Sequence, residues 1–155
     1  MYLFNRSIAV NVQTDDYKTA LVSGVFLDSH HEWCLNFSVD LETYEVTMAY
    51  GELRRAPHPD CLKVEERVKE LVGLKLVHGV RKKIEAAVGK GMGCTHLTDL
   101  TLECVKGLVQ ARFNLMERQL PAEEMTNYVE DYLKGSCYHF REDSEIYGGK
   151  VKAHL

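Results

Sequence analysis

The residues best suited to chemistry lie in one short segment, Gly93-Cys94-Thr95-His96-Leu97. We predict Thr95 as the N-cap of a helix, so Cys94 lies beside the unpaired backbone N–H groups at the positive end of the helix dipole. That position favours the thiolate, the form of cysteine that binds metals and attacks substrates. His96 reaches the same pocket only if the helix begins after it or if the first turn is irregular. The alternative is that Cys94 fills a gap in the packing and His96 bonds a backbone carbonyl.

Two further cysteines lie at predicted boundaries between elements. Cys61 precedes a helix, as Cys94 does, and Cys137 follows the helix stop at Gly135. Their spacing lacks the close cysteine pairs of a zinc finger, so any metal site must be assembled by the fold. Sulfur and imidazole donors suit zinc or an iron–sulfur cluster better than magnesium or calcium. The predicted metal ligands are Cys61, Cys94, His96 and Cys137.

Additional candidate ligands lie nearer the amino terminus. The polar turn 28–32 supplies Asp28, His30 and His31, with a simple exposed turn as the alternative. Adjacent side chains on an extended segment point to opposite faces, so at most one of the two histidines can face a given pocket. Cys34 begins a strand and is kept as a further candidate, whereas Cys104 falls on the apolar stripe of a predicted helix and is assigned to the core.

Three functional hypotheses stay open. In the first, which is our leading prediction, these cysteines and histidines hold zinc or an iron–sulfur cluster. In the second, Cys94 is a nucleophile, with His96 or His30 as its base and Asp99 as the orienting acid. Asp99 could equally act by favouring the helix dipole. In the third, the protein is a small-molecule or protein binding module without metal. No class of enzyme is predicted.

The elements that position these residues begin with a sheet. Runs of β-branched and aromatic residues at 7–13, 17–27 and 33–40, separated by turn residues, predict an antiparallel meander of three to four strands within about residues 5–52. In the fourth run, Tyr44, Val46 and Met48 are expected on one face. The prolines at positions 57 and 59 end the sheet.

Helices are predicted next, because the apolar spacing changes from two to three or four. About four helices are expected within residues 61–134, the third starting near Thr95 and the fourth after Pro121. The first helix carries an apolar stripe of Val64, Val68, Leu71 and Val72. A short strand at 137–140 is expected within the tail 136–155. No repeat or linker divides residues 1–155, so we predict a single α+β domain with helices covering an antiparallel sheet.

Composition restricts the partners and the location of the protein. The chain has 155 residues, 45% of them hydrophobic, and needs no disulfides to bury a core, so its five cysteines indicate a reducing, cytoplasmic compartment. A net charge of -4 from intermixed charges predicts no nucleic-acid partner. No apolar run reaches the ~18 residues that a membrane span needs, so no membrane partner is predicted either. A homo-oligomer or a protein partner is left open.

Several segments together resemble an uncharacterised bacterial family of domains of unknown function. They are Leu27-Asp28-Ser29-His30-His31, Arg55-Ala56-Pro57 through Cys61, Leu71-Val72-Gly73-Leu74, Gly93-Cys94-Thr95-His96-Leu97-Thr98-Asp99-Leu100 and Ser136-Cys137-Tyr138-His139-Phe140-Arg141. Members show a similar aspartate–histidine turn, an Arg-x-Pro followed by cysteine, and a Gly-Cys-Thr-His-Leu block that opens a helix. This chain has His58 near the position where many members carry an aromatic residue. The resemblance covers nearly the whole chain and implies no assigned activity.

The order of elements is also similar to that of iron–sulfur cluster assembly scaffolds of the NifU/IscU type. Those proteins run from a three-stranded meander into a cysteine-bearing loop, then helices, then a cysteine at a helix entrance. The analogous positions here would be Cys34, Cys61 and Cys94. The Cys-Gly-Asp and Gly-Cys-Gly blocks of the scaffolds are absent, so this likeness of layout implies metal binding only.

Overall fold

The computed structural model describes residue 1 and residues 3–143, in which four strands precede the helices. The strands are β1 (Arg6–Gln13), β2 (Thr19–Asp28), β3 (Glu32–Asp40) and β4 (Val46–Arg55). The helices are a 3₁₀ helix (Pro59–Leu71), α1 (Val80–Val88), a short 3₁₀ turn (Lys90–Met92), α2 (Thr95–Glu117) and α3 (Ala122–Leu133). The predicted α+β layout, with a meander followed by helices, is confirmed.

The sheet has the strand order β1-β2-β3-β4, and each neighbouring pair is antiparallel. All three of its turns are closed by an aspartate whose side chain accepts backbone N–H groups further along the turn, and in the turn between β2 and β3 that residue is Asp28. Asp16 accepts from Lys18 and Thr19, and Asp40 accepts from Glu42 and Thr43. Such aspartate turns satisfy backbone donors that the strands leave unpaired, which allows short connections.

Strand β4 does not alternate as predicted. Val46 is buried, but Met48 is 57% exposed, so the two side chains lie on opposite faces of the sheet. The pairing register shifts here, because Val39 lies opposite Val46 while its neighbour Ser38 lies opposite Met48. The extra residue, Thr47, forms a bulge that reverses the alternation of side chains. The prediction of one shared face was therefore wrong.

The covered face of the sheet forms the core with α1, α2 and the 3₁₀ helix. Gly24 of β2 lets α2 approach closely, since a Cβ atom there would collide with the side chains of Leu100 and Cys104. Cys104 is fully buried, as predicted, and burial raises the pKa of its thiol to about 12. Val72, predicted on the inner stripe of the first helix, is instead exposed, because the 3₁₀ helix ends at Leu71. Among the described residues, no helix is both long and apolar enough to cross a lipid bilayer.

The chain divides into two compact units, Met1–Ala111 and Arg112–Leu155. The first unit contains the whole sheet, the 3₁₀ helix and α1. In the second unit, the ring of Phe113 meets that of Tyr132 edge-on at 5.3 Å. The single domain stays a prediction.

Residues 137–140 form bends and turns, so the short strand predicted there was wrong. Gly135 adopts a left-handed φ of 74°, and its N–H donates to the carbonyl of Phe140. The guanidinium of Arg141 donates to the carbonyl of Tyr138. These bonds close a loop and use backbone groups that a strand would need for pairing. The rest of the predicted tail, from residue 144, lies outside the described residues.

Candidate metal centre

The turn between β2 and β3 is built around the carboxylate of Asp28. Its Oδ1 atom accepts the backbone N–H groups of His30 at 2.8 Å and of His31 at 2.6 Å. The turn brings the His31 ring back over Asp28, with Nδ1 3.2 Å from Oδ1. His30 is exposed, whereas the side chain of His31 is 14% exposed. Only His31 of the two adjacent histidines faces the interior, and because residues 29 and 30 form a turn, the turn and not strand alternation decides which one.

Arg55, at the end of β4, braces this turn from outside. Its guanidinium donates to the carbonyl of Ser29 and to that of Asp28, both at 2.7 Å. Guanidinium offers several donors in a rigid plane, so one side chain can bind two carbonyls at once. Two adjacent arginines in sequence suggest solvated charges or an anion site, and neither describes these contacts of Arg55 with backbone carbonyls. The Arg-x-Pro sequence was the available signal, but it does not reveal which backbone atoms the arginine contacts.

The second part of the site is the start of α2. The N–H of Cys94 donates to the carbonyl of Val88 across a tight turn at Gly93, where any Cβ atom would overlap the backbone. The carbonyl of Cys94 accepts the N–H of Thr98 at 3.0 Å. This is the first bond of the helix, so Cys94 is the N-cap and the prediction of Thr95 was one residue late.

The N-cap position brings Cys94 to His96. Its sulfur lies 3.6 Å from Nδ1 of His96. We expected this contact only if the helix began after His96 or if its first turn was irregular. That condition was wrong, because an N-cap side chain turns back over the first helical turn, where the second helical residue lies.

The two parts of the site meet at Asp28. The Nε2 atom of His96 lies 3.7 Å from Oδ2 of Asp28, and the ring centroids of His96 and His31 are 3.9 Å apart. One potential ligand atom from each of Asp28, His31 and His96 falls within 4.8 Å of the others. The side chain of Asp28 is 2% exposed and that of His96 is 21% exposed. The fold therefore joins two segments that are far apart in sequence into one partly enclosed cluster.

The surroundings favour an ionised Asp28 and a neutral His96. Burial alone would raise the pKa of Asp28, but the N–H groups of His30 and His31 and the His31 ring lower it to about 2. Burial, together with the charges of His31 and Arg6, lowers the pKa of His96 below its usual value, although Asp28 opposes this. Carboxylate and neutral imidazole are the protonation states that bind metal ions.

Arg6 and Asp99 lie beside the cluster. The guanidinium of Arg6 is 3.9 Å from Oδ2 of Asp28 and 3.5 Å from Oδ2 of Asp99, and it stacks over the ring of Phe26. The carboxylate that contacts His96 is thus Asp28. Asp99, the predicted orienting acid, bonds Arg6 instead, because it lies one turn further along α2 and its side chain is half exposed.

The other cysteines predicted as ligands have surroundings of their own. Cys61 is half-buried against the core in the 3₁₀ helix, and Cys34 lies on β3 in register with Val25 and Glu52. Cys137 is exposed in the second unit, where backbone N–H groups, chiefly that of Phe140, lower the pKa of its thiol. Within the described part of the chain, the group of ligand atoms within 4.8 Å includes no cysteine sulfur. A ligand role for Cys61, Cys94 or Cys137 stays a prediction.

Residues 5–110 match a family model described as "Protein of unknown function (DUF2889)". The chain belongs to this family. The DUF2889 segment contains Asp28, His31, Cys94 and His96, whereas Cys137 lies beyond it. The predicted resemblance to a family of unknown function is confirmed, but the likeness to NifU/IscU scaffolds is not supported. Neither the curated proteins nor the solved structures gave a significant match to this DUF2889 chain.

Proposed function

We propose that this DUF2889 chain binds one divalent transition-metal ion through Asp28, His31 and His96. The observation that carries the proposal is the convergence of two imidazoles and one carboxylate within 4.8 Å. The same donor set occurs in catalytic zinc sites and in non-haem ferrous sites. Three protein ligands leave one position of a tetrahedral ion for water or a small molecule.

The spacing of the donor atoms supports this proposal. A tetrahedral ion with metal–ligand bonds of about 2.0 Å holds its ligand atoms about 3.3 Å apart. The structure has 3.2 Å from Nδ1 of His31 to Oδ1 of Asp28 and 3.7 Å from Nε2 of His96 to Oδ2 of Asp28, so the two imidazoles face different oxygens of one carboxylate. Small rotations of the side chains would therefore close the site around an ion. The bonds from Arg55 to the turn hold Asp28 and His31 in place before an ion arrives.

The donor types favour zinc over an iron–sulfur cluster. Clusters are held mainly by cysteine thiolates, up to four of them, or by two cysteines and two histidines in Rieske centres. Cys94 contributes a sulfur beside the proposed site, but that sulfur contacts a ring nitrogen of His96 and is not one of the three clustered ligand atoms. Imidazole and carboxylate donors suit a single zinc or ferrous ion, and zinc is our first expectation.

Metal analysis of protein purified without chelator, followed by calorimetric titration of the metal-free protein with zinc, tests this proposal. We expect one ion per chain and a loss of binding in His96→Gln and in His31→Gln. His30→Gln is the matched control, because His30 is the exposed neighbour in the same turn, and it should bind zinc as the wild type does. Absence of zinc binding by the wild type, or full binding by His96→Gln, would refute the proposal.

The same titrations of Cys61→Ser and Cys137→Ser separate this site from the one predicted from sequence. Both variants should retain wild-type zinc affinity, since neither sulfur belongs to the proposed cluster. A loss of binding in either variant, with His31→Gln unaffected, would favour the cysteine ligand set instead.

A second candidate function is thiol chemistry at Cys94. The sulfur lies next to one ring nitrogen of His96, and Asp28 lies next to the other. That is the order of nucleophile, base and orienting acid in cysteine-dependent enzymes. The alkylation rate of Cys94 by iodoacetamide in metal-free protein tests it. The candidate requires faster reaction at Cys94 than at half-buried Cys61 and at least tenfold slowing in His96→Gln, and equal rates would dismiss it.

A further inference from the structure

The two ring nitrogens of His96 have different neighbours. Nδ1 lies 3.6 Å from the sulfur of Cys94, and Nε2 lies 3.7 Å from Oδ2 of Asp28. Ring nitrogens of one imidazole point in different directions, so a single ion can bind only one of them. Asp28 is the residue that completes the cluster with His31. An ion in that cluster therefore binds on the Nε2 side.

We infer that Cys94 is a positioning residue for the metal site: its sulfur accepts the Nδ1 proton of His96 and so directs Nε2 to the ion. This inference rests on the proposed metal site. Neutral imidazole carries one proton, which resides on either nitrogen, and only the unprotonated nitrogen can bind metal. Metal-binding histidines usually donate their other N–H to a carboxylate or a carbonyl. Here a sulfur atom takes that place.

The backbone of Cys94 is held at both of its polar groups. The N–H of Cys94 donates to the carbonyl of Val88 at 2.8 Å, and its own carbonyl accepts both the N–H and the hydroxyl of Thr98 at 3.0 Å. Both backbone polar groups of Cys94 are thus bonded to the protein. Its backbone therefore stays on the Nδ1 side of the ring, which suits Cys94 to orienting His96.

Cobalt(II) substitution tests which role the sulfur has. A cysteine bound to cobalt produces a strong sulfur-to-metal charge-transfer band in the near ultraviolet, whereas a sulfur bonded only to the Nδ1 proton produces none. We expect the wild type to bind one cobalt ion without this band. The appearance of the band, and its loss in Cys94→Ser, would make Cys94 a direct ligand. That result would overturn the inference and leave the metal site standing.

The affinities of two variants at Cys94 give an independent test. Serine also accepts a hydrogen bond, so Cys94→Ser should bind zinc within a few-fold of the wild type, whereas Cys94→Ala should bind about 10- to 100-fold more weakly. Cys61→Ala is the control and should leave the affinity unchanged. Equal affinity of Cys94→Ala and the wild type would contradict the inference. No binding of cobalt or zinc by the wild type would refute both the metal site and the inference.

Nitrogen-15 NMR of the zinc-bound wild type shows which ring nitrogen of His96 carries the proton. This measurement needs no variant, so it does not depend on whether a variant folds. The inference requires His96 to carry its proton on Nδ1. A proton on Nε2 would overturn it, even if zinc binds with full stoichiometry.

Discussion

The Nε2 atom of His96 lies 3.7 Å from Oδ2 of Asp28, so the first turn of α2 meets the end of β2. Asp28 is positioned by the turn that follows β2, whereas His96 is positioned by the first turn of α2. Their approach therefore depends on how closely α2 packs against the sheet. Gly24 and Arg55 control parts of that geometry without belonging to the cluster.

Acid should destabilise the folded protein through Asp28. Its folded pKa of about 2 lies below the ordinary 3.8, so its stabilising effect is complete above about pH 4 and disappears as pH falls through 2. In urea unfolding of chelator-treated protein, the wild type should lose roughly 1–2 kcal/mol more than Asp28→Asn over this range. Asp15→Asn, in an exposed turn, should keep the wild-type slope. Parallel curves for the wild type and Asp28→Asn would contradict this role.

His96 should make stability depend on pH in a higher range. Its folded pKa is lowered from 6.5, so the unfolded chain binds a proton more readily. The free energy of unfolding should therefore decrease as pH falls below 6.5 and stop changing below the folded pKa. Chelator-treated His96→Gln should lack this slope, and the exposed control His30→Gln should retain it. An NMR titration midpoint for the His96 ring at or above 6.5 would count against the prediction.

Replacing Arg55 should loosen the turn that carries Asp28 and His31. Lysine keeps the charge but cannot bind two carbonyls in one plane, so Arg55→Lys should reduce the free energy of unfolding by about 1–3 kcal/mol. Zinc affinity should fall about tenfold or more, as for other residues that support metal ligands.

Arg54→Lys is the matched control for this change. Arg54 is about half exposed and pairs with Glu52, so its replacement should alter the stability by less than about 1 kcal/mol. Calorimetry with and without zinc measures both quantities, and equal effects of the two substitutions would show that the contacts of Arg55 with the turn are unimportant.

A methyl group at position 24 should push α2 away from the sheet. Gly24→Ala should reduce the free energy of unfolding by about 1–3 kcal/mol, because the new Cβ atom would collide with Cys104 and Leu100. Adding Cys104→Ala should recover part of this loss, which a double-mutant cycle would measure. Gly91→Ala is the control, since a Cβ atom there meets open space. Strict additivity of the two core substitutions would mean that they do not share a contact.

Local patterns were enough to predict the antiparallel meander and the helices after it, but the contact between Cys94 and His96 was expected only under a condition that proved wrong. Alternation and turn residues located the strands, and Thr95, taken as an N-cap, indicated the start of α2 to within one residue. The same patterns identified Asp28 and His31 only as additional candidates, because nothing local connects a turn at residue 28 to a helix at residue 95. Their meeting with His96 depends on packing across the sheet.

Other errors had equally physical causes. The bulge at Thr47 changed which side of the sheet Met48 faces, and a one-residue insertion in pairing has no clear local signal. Asp99 was chosen as the partner of His96 because it is one turn away on the same helix. Arg6 binds Asp99 instead, from the start of β1.

The sequential strand order has a consequence for the order of folding. Each strand pairs with its neighbour in the chain, so the sheet and the Asp28 turn require only short loops to close. His96 must return from beyond the 3₁₀ helix and α1, which is a contact between distant parts of the chain and forms slowly. We therefore expect the cluster to be completed late in folding, after the sheet has formed. A nascent chain released before α2 has docked would carry Asp28 and His31 without their third partner.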